Sequence, residues 1–294
     1  MKQIILIATL LLLSLFSCEK NIEFKGKQQA PLLVINSILS PDSLLTASAS
    51  KSLFFLSDEE NTAIENADIQ VFVNGEQVGK YTFSHSDSAF IDILTSIKGQ
   101  SYYFLDYKPK AGDRIRYEAS APGLLQGVEC ETVIPQPTEI ISLETESVKN
   151  PNRGYGMDFK IKFQDTPNEK NYYRIAVYMR YRAWGYYYPG MNIITLPLQV
   201  TSDDMVFDSN APTSGFLTDE TDGSYTTVFS DDLIDSKEYT IKCHASVDGF
   251  SPEDVEDIIV QFISLTEDYY FYLRTLEASS EQGDTPFSEP VQIY

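Results

Sequence analysis

The sequence predicts an all-β protein: two tandem β-sandwich domains, with one α-helix in the C-terminal region. Three observations predict it. The chain holds 19 Tyr and 17 Phe among 294 residues, residue types that suit pleated, half-buried strands. Short apolar stretches alternate with polar residues at a period of two and are separated by turn signals. Only one stretch, at about 265–281, carries apolar residues at helical spacing.

Ordered structure is expected from Pro31. Leu32-Leu33-Val34-Ile35 is a buried strand candidate, and Ser40-Pro41-Asp42-Ser43 a turn. Leu44 to Ser52 alternates small and apolar residues, and Ser57 to Asn66 is an acidic loop. Ala67 to Val73 alternates as a strand and meets Asn74-Gly75, a hairpin signal. Gln77 to Phe83 reads as its return strand. Tyr102-Tyr103-Phe104-Leu105 leads to a turn at Ala111-Gly112-Asp113. Arg114 to Ala121 then puts Ile115, Tyr117 and Ala119 on one face and Arg114, Arg116 and Glu118 on the other. After Pro122-Gly123, Val128 to Ile134 completes the first domain, 31–135.

Ile134-Pro135-Gln136-Pro137-Thr138 reads as a linker, because proline stiffens the chain and cannot donate to a ladder. The second domain, 138–294, offers strands at Met157 to Phe163, Tyr173 to Tyr181, Tyr225 to Phe229, Tyr239 to Val247 and Ile258 to Ile263. Ser264-Leu265-Thr266-Glu267 reads as a capping box opening the helix. Leu265, Tyr269, Tyr272, Leu273 and Leu276 form its core-facing stripe, Gly283 its stop, and Pro286 to Tyr294 a closing strand. The first sandwich is expected to be transthyretin-like or carboxypeptidase-regulatory-like, and the second Ig- or fibronectin-like.

Ahead of the first strand lies an export signal, 1–17. Lys2 is followed by an apolar run from Ile4 to Phe16, interrupted by Thr9 and Ser14. That is long enough for a signal-peptide core and too short to span a bilayer. It ends in Leu15-Phe16-Ser17-Cys18, with an aliphatic residue three places before the cysteine and a small residue just before it. This suits a lipoprotein signal peptidase, so Cys18 is the expected lipidation site. Residues 18–30 then form a lipidated, polar tether, and two or three acyl chains give stable anchoring.

Charge narrows the function. The chain carries 43 Asp and Glu against 22 Lys and Arg, a net charge of −21. Loss of Lys2 with the signal makes the mature chain one charge more negative. Such a surface is repelled by nucleic acid and by anionic headgroups, which excludes a nucleic-acid partner. Beyond Cys18 only Cys130 and Cys243 remain. Alternation turns both inward, in different domains, so two separate buried thiols are expected. Two His and two scattered Cys make no zinc site. His244 adjoins Cys243, but neighbours in a strand face opposite ways and form no pair. Neither a nucleophile-elbow, a phosphate-loop nor a paired-histidine pattern is present, and no enzymatic activity is expected.

The segment 183–236 has no Lys or Arg. It opens on Trp184, Tyr186, Tyr187 and Tyr188, set between Gly185, Pro189 and Gly190. Consecutive rings in a loop are poor core material and good contact area, so these four are the candidate binding residues, for a peptide or a glycan. Its acids begin with Asp203, Asp204 and Asp208 and end with Asp231, Asp232 and Asp235. Between them Asp219, Glu220 and Asp222 offer carboxylates for a weak Ca²⁺ site without EF-hand spacing. No other cofactor is expected.

Several short motifs carry a resemblance. They are Cys18-Glu19-Lys20, Leu33-Val34-Ile35-Asn36 before Ser40-Pro41-Asp42, Ser50-Lys51-Ser52, Glu65-Asn66-Ala67 and Ala121-Pro122-Gly123. Asn171-Tyr172-Tyr173-Arg174 and Pro286-Phe287-Ser288-Glu289-Pro290-Val291 complete the series. In this order and spacing the chain resembles a lipoprotein family of Bacteroidota known as domain of unknown function 4249, encoded near SusC- or RagA-like TonB-dependent receptors. The resemblance implies an outer-membrane, lipid-anchored protein, surface-exposed or facing the periplasm, that works beside such an importer; the cell surface is the expected side. It implies no catalytic residues. A surface adhesin or glycan-binding module is the alternative.

Overall fold

The computed structural model describes residues 30–54, 60, 62–85, 90–92, 95–97, 101–150, 154–184, 191–208, 227–247 and 253–281. Up to the linker the strands are β1 (Leu33–Asn36), β2 (Leu45–Lys51), β3 (Asp68–Val73), β4 (Glu76–Lys80) and β5 (Thr82–His85). They continue with β6 (Phe90–Asp92), β7 (Thr95–Ile97), β8 (Ser101–Leu105), β9 (Arg114–Ser120) and β10 (Val128–Val133). Two antiparallel four-stranded sheets result, β1-β2-β8-β5 and β10-β9-β3-β4, beside a small β6-β7 hairpin.

The two larger sheets share one core. Leu33, Leu45, Ala47, Ala49 and Tyr103 come from the first; Ile69, Val71, Val73, Ile115, Tyr117 and Ala119 come from the second. Period-two alternation brings each of these side chains to one face. Each large aliphatic buried there contributes about 1.5–3 kcal/mol. Tyr81 and Tyr117 satisfy their buried hydroxyls with each other, at 2.9 Å.

The expected return strand Gln77 to Phe83 is in fact two strands in two sheets. β4 pairs β3, and β5 pairs β8 in the opposite sheet. Tyr81 marks the crossing: its ring is buried between the layers, and its amide donates to Ile69. A core-directed aromatic at the corner lets the chain change sheets without exposing either face.

After the linker come β11 (Ile140–Asn150), β12 (Gly154–Gln164), β13 (Tyr172–Trp184), β14 (Met191–Leu198) and β15 (Val200–Thr201). A short helix α1 (Met205–Asp208), β16 (Thr227–Ser230), β17 (Glu238–Ser246), β18 (Val255–Leu265) and helix α2 (Glu267–Glu281) follow. One sheet is β11-β12-β17-β15. In the other, β13 is central, with β18 along one edge and β14 and β16 end to end along the other. Phe159, Ile161 and Phe163 of β12 and Ile241, Cys243 and Ala245 of β17 meet Tyr173, Ile175, Val177 and Met179 of β13 in a second core. The last residue of the first core is Ile134 and the first of the second is Phe159. The fold is therefore all-β and sandwich-like.

Helix α2 covers the outer face of the β13 sheet through Tyr270 and Leu273, which pack on Tyr172, Val228 and Leu265. The expected stripe is rotated: Tyr272 and Leu276 are 38% and 39% exposed. The cap is also shifted. Leu265 ends β18, and Thr266 caps the helix through its Oγ1, which accepts from the Tyr269 amide at 3.3 Å. Ser264 instead meets the linker, accepting from the Thr138 amide at 3.2 Å. Gly283 and Pro286 to Tyr294 lie outside the described residues.

β11 and β14 were not expected from the sequence. β11 is an edge strand, exposed at nearly every position: Ile140, Ile141 and Leu143 cluster at its start and the rest is mostly polar, so no period-two alternation runs along it. β14 is paired from Leu198↔Val177 to Met191↔Trp184, inside the base-free stretch 183–236, where the first strand expected was Tyr225 to Phe229.

Candidate functional site

The sequence placed Trp184 in a binding loop. Its backbone instead ends β13, the longest strand among the described residues, opposite Met191. β18 pairs β13 up to Tyr181, with one more bond from the Arg182 amide to Asp254, and beyond that β13 is held on its β14 edge alone. The Trp184 side chain and Tyr186, Tyr187 and Tyr188 lie outside the described residues. So do Cys18 and the Ca²⁺ candidates Asp219, Glu220 and Asp222.

The acids at the end of the base-free segment are not left to repel one another. Asp231 and Asp232 are both gripped by Lys170, from outside that segment, with the Asp231 contact at 2.9 Å. Asp231 lies with Asp165 and Asp235, and their carboxylate oxygens converge within 4.8 Å. Both oxygens of each of the two buried members already accept from protein donors. Tyr173 donates its hydroxyl to Asp165 Oδ1 at 2.5 Å, and the Ser236 amide donates to Oδ2 at 2.8 Å. Asp231 Oδ2 accepts from the Asn171 amide at 2.7 Å, while Lys170 holds Oδ1. The arrangement ties the end of β12, the start of β13 and the turn 231–236 into one knot. Donors from three elements converge on these carboxylates, so the cluster fits a structural role.

Electrostatics agree with that role. Burial pushes the Asp165 carboxyl above its ordinary range, opposed by the Tyr173 and Ser236 hydrogen bonds and reinforced by Asp231 and Asp235. Asp232 is held below its ordinary range by Lys170 and then by Ser230. Burial opposes the charge on Lys170, but Asp232 and Asp231 outweigh it and hold the ammonium protonated.

An open cleft of about 780 Å³ lies over the outer face of the β11-β12-β17-β15 sheet. Alternation supplies its floor. Lys160 of β12 meets Glu144 of β11 at 3.2 Å, and Asp158 meets His244 Nδ1 at 2.6 Å. The imidazole lies over Gly156, where any Cβ would stand 2.5 Å from His244 Cε1. At the rim, Tyr239 donates to Asp204 at 2.7 Å. Burial, then Asp204, pushes that phenol up to about 12. Cys243 points the opposite way from His244, into the core, and burial pushes its thiol up to about 12. It is a protonated core residue, not a nucleophile. The cleft thus presents a mixed-charge surface in which Glu144, Asp158 and Asp204 each have a partner.

Cys130 departs from expectation. It pairs with Tyr117 and so shares the inward face. β10 is an edge strand, however, and the thiol stays exposed. Cys130 and Cys243 are both free.

A family model described as "Domain of unknown function (DUF4249)" matches residues 19–294. No curated protein matches the chain. With nearly its whole length matched, the chain belongs to that family.

Proposed function

We propose that this member of the family is an outer-membrane lipoprotein, held by acyl chains on Cys18 at the cell surface. There it acts as a non-enzymatic accessory or ligand-binding subunit of a TonB-dependent nutrient importer of the SusC-like kind. The observation that carries the binding role is the β13–β14 ladder. It runs from the second core to the Trp184↔Met191 pair, and Tyr186, Tyr187 and Tyr188 fall in the six-residue connection 185–190. A paired ladder that leads to large aromatics suits recognition, because Trp and Tyr give large contact area at low entropic cost. The export signal and Cys18 support the location, and the buried thiol and paired cleft carboxylates suit binding better than bond-breaking chemistry. Among the described residues no helix is long and apolar enough to cross a membrane.

The test is affinity purification of the tagged lipoprotein from outer membrane solubilised in mild detergent, with uptake measured in a deletion strain. Recovery of a large β-barrel receptor, lost on Cys18→Ser, is expected. Purification alone with unchanged uptake overturns the reading.

The same ladder favours a second reading, a surface adhesin or glycan-binding module using Trp184 and its neighbouring tyrosines. A glycan array with a Trp184→Ala control separates the two. Ca²⁺ bound by Asp219, Glu220 and Asp222 is a further proposal, checked by Ca²⁺ calorimetry against Asp222→Asn.

A further inference from the structure

The outer face of the β1-β2-β8-β5 sheet differs from the other outer faces. Register decides which side chains it shows. Leu45↔Leu105 and Ala47↔Tyr103 point into the core, so Thr46↔Phe104 points out. On the other side of β8, Phe83↔Tyr103 points in, whereas Thr82↔Phe104 and Ser84↔Tyr102 point out. The rings of Tyr102 and Phe104 therefore stand side by side, with centroids 6.2 Å apart and planes tilted by 47°. Both are partly exposed.

Small hydroxyl residues surround the ring pair: Thr46 and Ser48 on β2, Thr82 and Ser84 on β5. Beyond β2, Asn36↔Ser48 and Val34↔Ser50 complete the face. Among the described strand residues of this face no side chain is charged. In contrast, the outer face of β9 and β10 carries Arg114, Arg116, Glu118 and Glu131, and that of β12 carries Asp158, Lys160 and Lys162. Among the described residues the hydroxyls of Ser48, Thr82 and Ser84 form no hydrogen bond with another side chain, so they are open to a ligand.

We infer that this face is a binding platform for neutral oligosaccharides. The chemistry is specific to that class. Aromatic faces bear negative π density that meets the polarised C–H face of a pyranose, and a tilted ring pair follows the twist of a sugar chain. The hydroxyls and the Asn36 amide can both donate and accept, as sugar hydroxyls require. Without a cation the face offers nothing to a uronate, a sialoside or a phosphate. Without a large aliphatic anchor beyond Val34 it lacks the centre of a protein–protein contact. The platform lies before the linker, apart from the Trp184 hairpin, and its case does not depend on the importer reading.

The experiment uses the full mature chain with Cys18→Ser to keep it in solution. Neutral oligosaccharides, β- and α-linked glucans, xylans and mannans, are titrated by calorimetry, with a polyuronate as the charged comparison. At least one neutral series should bind and the polyuronate should not. Tyr102→Ala and Phe104→Ala should each weaken binding about tenfold or more. Ser48→Lys sits on the solvent side, leaves the core intact, and should abolish it. The thermal midpoint of Ser48→Lys should match the parent, which keeps the test sound if a ring variant misfolds. The inference is overturned if no neutral saccharide binds or if Ser48→Lys leaves binding intact. Loss only with Trp184→Ala overturns it as well, and so does parent self-association that Ser48→Lys abolishes.

Discussion

Tyr173 hands its hydroxyl proton to a hydrogen bond with Asp165, 2.5 Å away, and both side chains are buried at the junction of β12 and β13. The pair, with the Ser236 amide, closes the knot that positions the central strand of the second core. Tyr173→Phe keeps the ring and strands Asp165 Oδ1 without its donor. A loss of about 1–3 kcal/mol in urea unfolding is expected, with an unchanged m-value. A midpoint equal to that of the parent would show that the knot contributes nothing.

Lys170 bridges Asp231 and Asp232 from outside their segment. Because Asp232 is held below its ordinary range by Lys170, it adds stability above the unfolded carboxylate pKa of about 4. That stability is lost as pH falls through the lower folded value. Lys170→Met removes the partner. The parent is expected to lose more stability than the variant between about pH 5 and pH 2, where unfolded carboxylates titrate ahead of paired ones. Parallel pH–stability curves would contradict the assignment.

The two internal thiols should separate cleanly by reactivity. In a Cys18→Ser chain, a disulfide reagent should modify one thiol in the native state and two in denaturant. Cys130 is the exposed one, slowed because burial of part of its surroundings lifts its thiol above the ordinary value. Cys243, 6% exposed and pushed up to about 12, reacts only on unfolding. Two fast native thiols would place Cys243 wrongly.

Thr266 and Ser264 do different work two residues apart. Thr266→Ala should cost about 1 kcal/mol, because the cap of α2 is lost. Ser264→Ala removes the bond to Thr138, so its effect belongs to the linker. Hydrogen exchange distinguishes them: Tyr269 and Tyr270 amides should deprotect in the first variant alone.

The sequence by itself determined the all-β class, the helix after residue 265, the strand at Arg114–Ser120 and the inward turn of Cys243. These follow from alternation and propensity, which act over a few residues and are printed in the local order of side chains. The proposed export signal and lipidation of Cys18 rest on the same local kind of information.

Everything that needed a partner strand was decided by tertiary structure. Alternation gave Cys130 its face, but only the edge position of β10 left it uncovered. β11 carried no sustained alternation, because an edge strand open to solvent along most of its length needs none. Lys170 lies far in sequence from Asp231, and only the pairing of β13 with β16 brings them together. In Tyr102-Tyr103-Phe104 three rings stand in a row, equally suited to core or surface. The register with β2 and β5 buries Tyr103 and turns Tyr102 and Phe104 outward, since a shift of one residue would reverse all three.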